Sequence, residues 1–157
     1  MLKKMLILLL ISGSFIFAEG TKSHQKKFGL GVMLGEPSGL SGKYYLNSTN
    51  AIDFGLGYSV ATKGKLVLHV DYLHHKADLF DTNEPIILHY GFGAKIKTYS
   101  DKDDVFGVRG VVGLTWSPTD LPVDAFFEIA PVFNLLPSTK LELDVSLGSR
   151  YYFDLTP

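Results

Sequence analysis

The clearest structural signal in the sequence is the stretch Ala51-Ile52-Asp53-Phe54-Gly55-Leu56-Gly57-Tyr58-Ser59-Val60. Bulky apolar residues alternate in it with small or charged ones. Because successive side chains of a β-strand point to opposite faces, this alternation predicts a strand with one bulky face and one glycine-rich face. The only charge in the stretch, Asp53, belongs to the glycine-rich face.

The same two-residue period continues along the chain, interrupted every 10 to 15 positions by residues that favour turns. Proline, glycine, asparagine and aspartate supply the backbone conformations that turns need. No later segment is apolar for long enough to form a membrane helix. The pattern predicts eight strands, at residues 28–35, 40–47, 51–60, 65–75, 86–99, 104–117, 122–134 and 140–153.

The opposite faces of these strands differ in a way that determines which face points inward. One face carries about thirty large aliphatic and aromatic residues, which would overfill the narrow interior of an eight-stranded barrel. The other carries glycines and mid-strand charges, four of each sign. Turned inward, they fill the lumen while the bulky face meets lipid. The eight charges of this predicted interior ion network are Lys43, Asp53, Asp71, Lys95, Arg109, Glu128, Asp144 and Arg150.

The fold predicted from this pattern is all-β, an eight-stranded antiparallel up-and-down transmembrane β-barrel over residues 28–153. The alternative is a soluble periplasmic lipid-binding barrel, which would place the bulky face inside. Closure of the barrel in a membrane also removes the sheet edges, whose polar groups lipid cannot satisfy. Residues 154–157 form a short C-terminal tail.

The N-terminus has the order of a secretory signal peptide: Lys3 and Lys4, then a mostly apolar stretch, then Ala18. We predict a signal peptide over residues 1–18, cleaved after Ala18, followed by a polar leader over residues 19–27. A retained N-terminal anchor is the alternative. The predicted location is the cell outer membrane, reached through the periplasm.

Composition excludes several classes of function. The chain has 157 residues, with 15 Lys and Arg against 16 Asp and Glu, and no cysteine. A surface that binds nucleic acid is strongly basic, so no nucleic acid partner is expected. Without cysteine the chain has no disulfide, no thiol nucleophile and no thiolate metal site.

The histidines and carboxylates are candidate chemical sites. His69, Asp71, His75 and His89 share the predicted inner face, where a metal site is conceivable. Their spacing is not that of a compact ligand set, so an interior hydrogen-bond network is favoured and no metal or cofactor is predicted. His74 points to the opposite face.

The inner charges also allow an acid–base pair. Counting back from the turns places Lys95, Arg109, Glu128 and Asp144 in one row, with Arg109 and Glu128 as direct cross-strand neighbours. A balanced row is what a buried ion cluster requires, so a structural plug is favoured over catalysis. The serines Ser41, Ser59, Ser117 and Ser146 are scattered without an activating histidine nearby. A lipid-modifying outer-membrane enzyme remains the alternative function.

Several stretches resemble the small outer-membrane β-barrel proteins of diderm bacteria, the OmpA/OmpX-like barrels. They are residues 29–46, 50–58, 69–73, 106–109 and 127–131, and the likeness covers nearly all of the mature chain. The resemblance implies an eight-stranded barrel in the outer membrane and no established activity. The strand end with Tyr151 and Phe153 resembles the aromatic signal read by the outer-membrane assembly machinery. That family usually stops at the phenylalanine, whereas here residues 154–157 follow.

These observations predict a small outer-membrane barrel with a structural or surface-interaction role and a plugged, ion-paired lumen. With the N-terminus in the periplasm, the outer connections 36–39, 61–64, 100–103 and 135–139 are short, and the longest connection, 76–85, faces the periplasm. The expected partners are outer-membrane lipid and the outer-membrane assembly machinery. An unidentified surface or periplasmic protein is a further candidate partner.

Overall fold

The computed structural model describes residues 27–60 and 65–155, so the predicted signal peptide, most of the polar leader and the connection 61–64 lie outside the described residues. Within the described part no helix is long and apolar enough to cross a membrane. Each predicted strand is present, with bounds that differ from the prediction by at most two residues. The strands are β1 (Lys27–Gly35), β2 (Ser38–Tyr45), β3 (Asn50–Tyr58), β4 (Leu66–Lys76), β5 (Ile86–Thr98), β6 (Val105–Trp116), β7 (Val123–Leu136) and β8 (Lys140–Asp154).

The eight strands form one closed antiparallel barrel in which each strand pairs with the next along the chain. The last strand closes on the first, from the pair Lys27↔Asp154 to the pair Gly35↔Ser146. Short connections between consecutive strands produce this up-and-down order, because antiparallel neighbours need only a tight turn. The predicted fold class is confirmed.

Burial alternates along the strands, and the buried face is the polar one. On the outside, Phe92 and Leu141 expose 69% and 70% of their surface. On the inside, the side chains of Lys43 and Lys95 expose 0% and 1%. The interior is therefore a polar core, and the buried apolar cluster of Leu73, Val111 and Ala130 is small beside it.

Glycines on the inner face allow strands and side chains to approach closely. At Gly31 of β1 an added Cβ would meet the backbone of β8, where it would clash with the Ser149 carbonyl oxygen and come within 2.6 Å of the Arg150 Cα. Neither backbone atom can move without shifting a strand. The close fit of β1 against β8, at the closure of the barrel, thus depends on the missing side chain.

We expect Gly31→Ala to lower the free energy of unfolding by roughly 1–3 kcal/mol, the usual cost of overpacking a closely packed site. The matched control is Gly110→Ala, where the nearest atom to an added Cβ is the Pro131 Cγ at 3.8 Å. Urea unfolding of the two purified variants measures the difference. Equal stability of the two variants would contradict the close fit between β1 and β8.

Candidate functional site

The interior of the barrel contains all eight charges that the sequence places on the inner face. Each exposes at most 3% of its surface, and together they come from seven strands, β2 to β8. Charges removed from water need oppositely charged partners or hydrogen bonds. The structure provides these in two clusters and one separate chain of hydrogen bonds.

The Arg150 cluster consists of Arg150, Asp53, Asp124 and Lys43. Arg150 Nη1 lies 2.5 Å from Asp53 Oδ2, and Arg150 Nε lies 3.2 Å from both oxygens of Asp124. The guanidinium stacks over the Phe126 ring at 4.0 Å. One planar cation thus joins β3 and β7 across the lumen, which suits the fixed fork of arginine donors.

Lys43 extends this cluster toward the end of the barrel where the termini lie. Its Nζ is 3.9 Å from Asp53 Oδ2 and donates a hydrogen bond of 3.2 Å to His75 Nε2. His75 Nδ1 in turn donates to the carbonyl oxygen of Thr49 at 3.1 Å. Because Nε2 accepts and Nδ1 donates, His75 is neutral in this arrangement.

The Asp144 cluster lies nearer the opposite end and consists of Asp144, Lys95, Arg109, Asp71 and His69. Lys95 Nζ donates to both Asp144 oxygens at 2.7 and 2.6 Å, and Arg109 Nη1 lies 3.4 Å from Asp144 Oδ2. Arg109 Nε lies 3.2 Å from Asp71 Oδ1, and His69 Nδ1 is 3.0 Å from Asp71 Oδ2. Arg109 therefore bridges two carboxylates on strands that are not neighbours.

Glu128 belongs to neither cluster. It lies 3.0 Å from His89 Nε2, and the Thr115 hydroxyl is 2.9 Å from His89 Nδ1. A hydroxyl, an imidazole and a carboxylate in a chain resemble the components of a nucleophilic catalyst. All three are buried, with 0%, 0% and 3% exposure for Thr115, His89 and Glu128, so the hydroxyl is out of reach of a substrate. The hydrogen bonds of Thr115, His89 and Glu128 connect strands β6, β5 and β7 inside the barrel.

The predicted contact between Arg109 and Glu128 is wrong. Arg109 lies opposite Val132, and Glu128 lies opposite Gly113, so the two are four positions apart in register. Four positions along a strand amount to about 13 Å. Counting back from the turns did not give this register, because the strands of a closed barrel are tilted and staggered. The ion pairs run across the lumen rather than along one row of the wall.

Three further charges belong to the interior in addition to the eight predicted ones. Asp124 is part of the Arg150 cluster, and Lys97 Nζ pairs with Glu142 Oε2 at 2.7 Å near the end opposite the termini. All three have the same parity as the inner residues of their strands. They lie near strand ends, outside the mid-strand positions of the predicted network, but the alternation of inner and outer residues is enough to predict their orientation.

The structure also brings three candidate metal-binding side chains close together. The histidine and carboxylate ligand atoms of Asp53, His69 and Asp71 lie within 4.8 Å of one another. However, Asp53 is paired with Arg150, and Asp71 is paired with Arg109. A divalent cation at this position would have to displace two buried guanidinium groups. His75 and His89 form a separate ring contact at 5.7 Å.

A cavity of about 1360 Å³ opens at the end of the barrel where the termini lie. We call it the vestibule. Its walls come from the connections β2–β3, β4–β5 and β6–β7. At its floor Tyr45 packs against His75 and Tyr152, with ring centroids 5.1 and 5.9 Å apart. Tyr152 also connects the vestibule to the Arg150 cluster, because its hydroxyl donates a hydrogen bond of 2.5 Å to Asp124 Oδ2.

Comparison with known proteins supports the fold. No protein-family model matches the chain, and no curated protein matches its sequence. Among solved structures, the N-terminal β-barrel domain of Pseudomonas aeruginosa OprF is 17% identical, with a TM-score of 0.56 over 83% of this chain and all of that chain. Ail, the attachment invasion locus protein of Yersinia pestis, is 13% identical over the same shares, with a TM-score of 0.37. The likeness to the OprF domain confirms the predicted resemblance at the level of the fold.

Proposed function

We propose that this chain is an integral outer-membrane β-barrel with a structural or surface-interaction role. The observation that carries the proposal is the inverted distribution of apolar and charged residues. Among the described residues, 32 large apolar side chains are exposed, whereas nine hydrophobic residues are buried. Soluble monomers rarely expose apolar patches larger than a few hundred Å². A soluble lipid-binding barrel would need the opposite arrangement.

The strand lengths agree with a membrane location. The strands have 8 to 15 residues, and crossing a bilayer as a tilted strand takes about 9–11 residues. The outer face ends in aromatic side chains such as Trp116, Tyr151 and Phe153, which suit the membrane–water interface. The backbone groups are satisfied by closure of the barrel, as the interior of a membrane requires.

The interior favours a structural or surface role over transport. An eight-stranded barrel leaves little space beyond its own side chains, and here the space holds the two ion-pair clusters. We infer that the lumen is plugged. In planar bilayers the purified protein is then expected to give no stable solute-conducting channel.

Fractionation of cells that produce the protein tests the proposal most directly. We expect the protein in the outer-membrane fraction, with a different gel mobility before and after heating, because a folded barrel resists detergent until it is boiled. Recovery in the soluble periplasmic fraction with a single mobility would contradict the proposal. Mass spectrometry of outer-membrane lipids, with and without the protein, tests for a lipid-modifying activity.

The terminal strand supports a second part of the proposal, recognition by the outer-membrane assembly machinery. Tyr151 and Phe153 are about half exposed on the outer face, with ring centroids 5.0 Å apart. We expect Phe153→Ala to reduce the amount of inserted barrel more than Leu155→Ala, because Leu155 follows the end of β8. Quantifying the heat-modifiable form in membranes gives the comparison. Equal loss from both variants would place the signal elsewhere.

A further inference from the structure

Three histidines are buried in the described part of the barrel, and one of them differs from the others in its partner. His69 and His89 each lie 3.0 Å from a carboxylate oxygen. Among the described residues His75 forms no ion pair with a carboxylate. Its Nε2 instead accepts a hydrogen bond of 3.2 Å from the ammonium group of Lys43. A carboxylate favours a protonated imidazole, whereas a neighbouring cation opposes it.

The surroundings of His75 offer no acceptor for a second ring proton. Its Nδ1 already donates to the Thr49 carbonyl oxygen at 3.1 Å, so an added proton would have to lie on Nε2, facing Lys43. His89 is 5.7 Å away on β5, and its own Nε2 is engaged with Glu128. The titratable and charged groups that lie around His75, directly or one group further away, are Lys43 and Tyr45 of β2, Asp53 of β3, His89 of β5, Glu128 of β7, and Arg150 and Tyr152 of β8.

His75 also lies where a small movement would change the floor of the vestibule. It lines the cavity, and its ring packs against Tyr45 with centroids 5.1 Å apart. Tyr45 in turn packs against Tyr152 at 5.9 Å. On the opposite side of the His75 ring, Lys43 is enclosed and has no exposed surface. The vestibule, with a volume of about 1360 Å³, is therefore the side on which a displaced ring finds space and water.

We propose that His75 is a pH-sensitive latch on the floor of the vestibule. While His75 is neutral, it joins Lys43 to Thr49 and holds Tyr45 in place, so the floor is closed. A proton taken from water onto Nε2 replaces the hydrogen bond from Lys43 with repulsion between two cations. The ring then swings into the vestibule together with Tyr45, and water reaches the Arg150 cluster. The latch requires only the barrel fold and not a membrane location, so its tests use the purified protein in detergent.

The dependence of stability on pH measures the latch thermodynamically. An imidazole in an unfolded chain takes up a proton below about pH 6.5, and the closed floor does not accept that proton at His75. Because the unfolded state then binds more protons, the unfolding equilibrium constant rises as the pH falls, by up to about tenfold per pH unit for one group. His75→Gln keeps an oxygen that can accept from Lys43 but does not titrate. We expect urea unfolding of this variant to lack that part of the acid dependence.

The adjacent residue His74 provides the matched control, because it belongs to the same strand and points to the outer face. His74→Gln is expected to keep the acid dependence of the parent chain. His75→Asn, whose amide can donate to the Thr49 carbonyl, is a second variant without a titrating group if His75→Gln gives little folded barrel. Equal acid dependence in the parent and the His75 variants, or its loss in His74→Gln, would overturn the proposal.

Cysteine labelling shows whether the floor opens, which a purely structural role of His75 would not produce. The chain has no cysteine, so Ser41→Cys and Ser117→Cys, made separately, each supply a single thiol. Ser41 is 2% exposed and lies 3.4 Å from Arg150 Nη1, beyond the floor, whereas Ser117 lines the vestibule. The probe is a water-soluble methanethiosulfonate reagent. The labelling rate of Ser41→Cys is divided by that of Ser117→Cys at the same pH, which removes the effect of acid on the thiol itself.

We expect this ratio of labelling rates to rise as the pH falls from about 7.5 to about 5, by up to about tenfold per pH unit. With His75→Gln added to both cysteine variants, the ratio is expected to stay constant. A ratio that acid leaves unchanged in the chain with His75 would overturn the latch. An equal rise in the presence of His75→Gln would overturn it as well, because the opening would then depend on another group.

Discussion

Arg150→Met is expected to cause one of the largest losses of stability that a single substitution in this chain can produce. The change leaves the carboxylates of Asp53 and Asp124 without their main cationic partner in the interior. Removing one member of a buried ion pair costs about 3–5 kcal/mol, and here two partners are orphaned, so we expect the upper end of this range. Urea unfolding of the barrel in lipid vesicles measures the loss.

Two variants accompany this measurement. Lys140→Met removes an exposed charge at the start of β8 and should change stability by less than about 0.5 kcal/mol. Arg150→Lys keeps the charge but not the planar fork, so we expect partial retention of stability. If Arg150→Met behaved like Lys140→Met, the inward orientation of the charged face would be wrong.

Lys95 and Asp144 form the tightest pair of the Asp144 cluster, and a double-mutant cycle should show strong coupling between them. Lys95→Met leaves Asp144 with only the longer contact to Arg109. Asp144→Leu removes a carboxylate partner from both Lys95 and Arg109. We expect each single variant to lose about 3–5 kcal/mol. The double variant should recover about 1–3 kcal/mol of the summed loss, because no orphan ammonium remains at position 95.

Arg109 and Glu128 provide the matched pair without contact. Each is buried and paired, so Arg109→Met and Glu128→Leu should each be destabilising. Their effects should add within about 0.5 kcal/mol, because the two residues share no partner. Strong coupling between Arg109 and Glu128 would support a direct contact between them and would contradict the observed register.

The comparison of these two pairs shows how far the sequence determines the interior. Side-chain parity is a local property, so alternation was enough to place the inner charges, and it would also have placed Asp124. Which inner side chains form ion pairs is a property of the whole barrel, because it depends on the tilt and stagger of all the strands. The stagger has a local irregularity as well, since the register shifts between Phe106 and Gly107 against β7. Alternation within a strand contains no information about that shift.

The vestibule cannot be predicted from the pattern of any single strand. The sequence predicts that the connection 76–85 is the longest one and that it faces the periplasm. In the structure this connection lines one cavity together with the turn after β2 and the connection β6–β7. This arrangement depends on where the three hairpins end relative to one another. Each of those ends is set by the closure of the barrel, which no single segment specifies.

The ion pairs across the lumen join residues that lie far apart in the sequence, and this affects the folding of the barrel. Arg150 contacts Asp53 across 97 positions of sequence and Ser41 across 109. Contacts between residues so far apart form slowly, because closing a long loop costs conformational entropy before the contacts form and stabilise the fold. Until β8 meets β1, these charges have no partners, and in lipid an incomplete sheet would also leave its edges unsatisfied. We therefore expect a half-formed barrel to be unstable. We also expect that a chain divided between β4 and β5 would not fold as two independent fragments, because Asp53 and Arg150 would lie in different fragments.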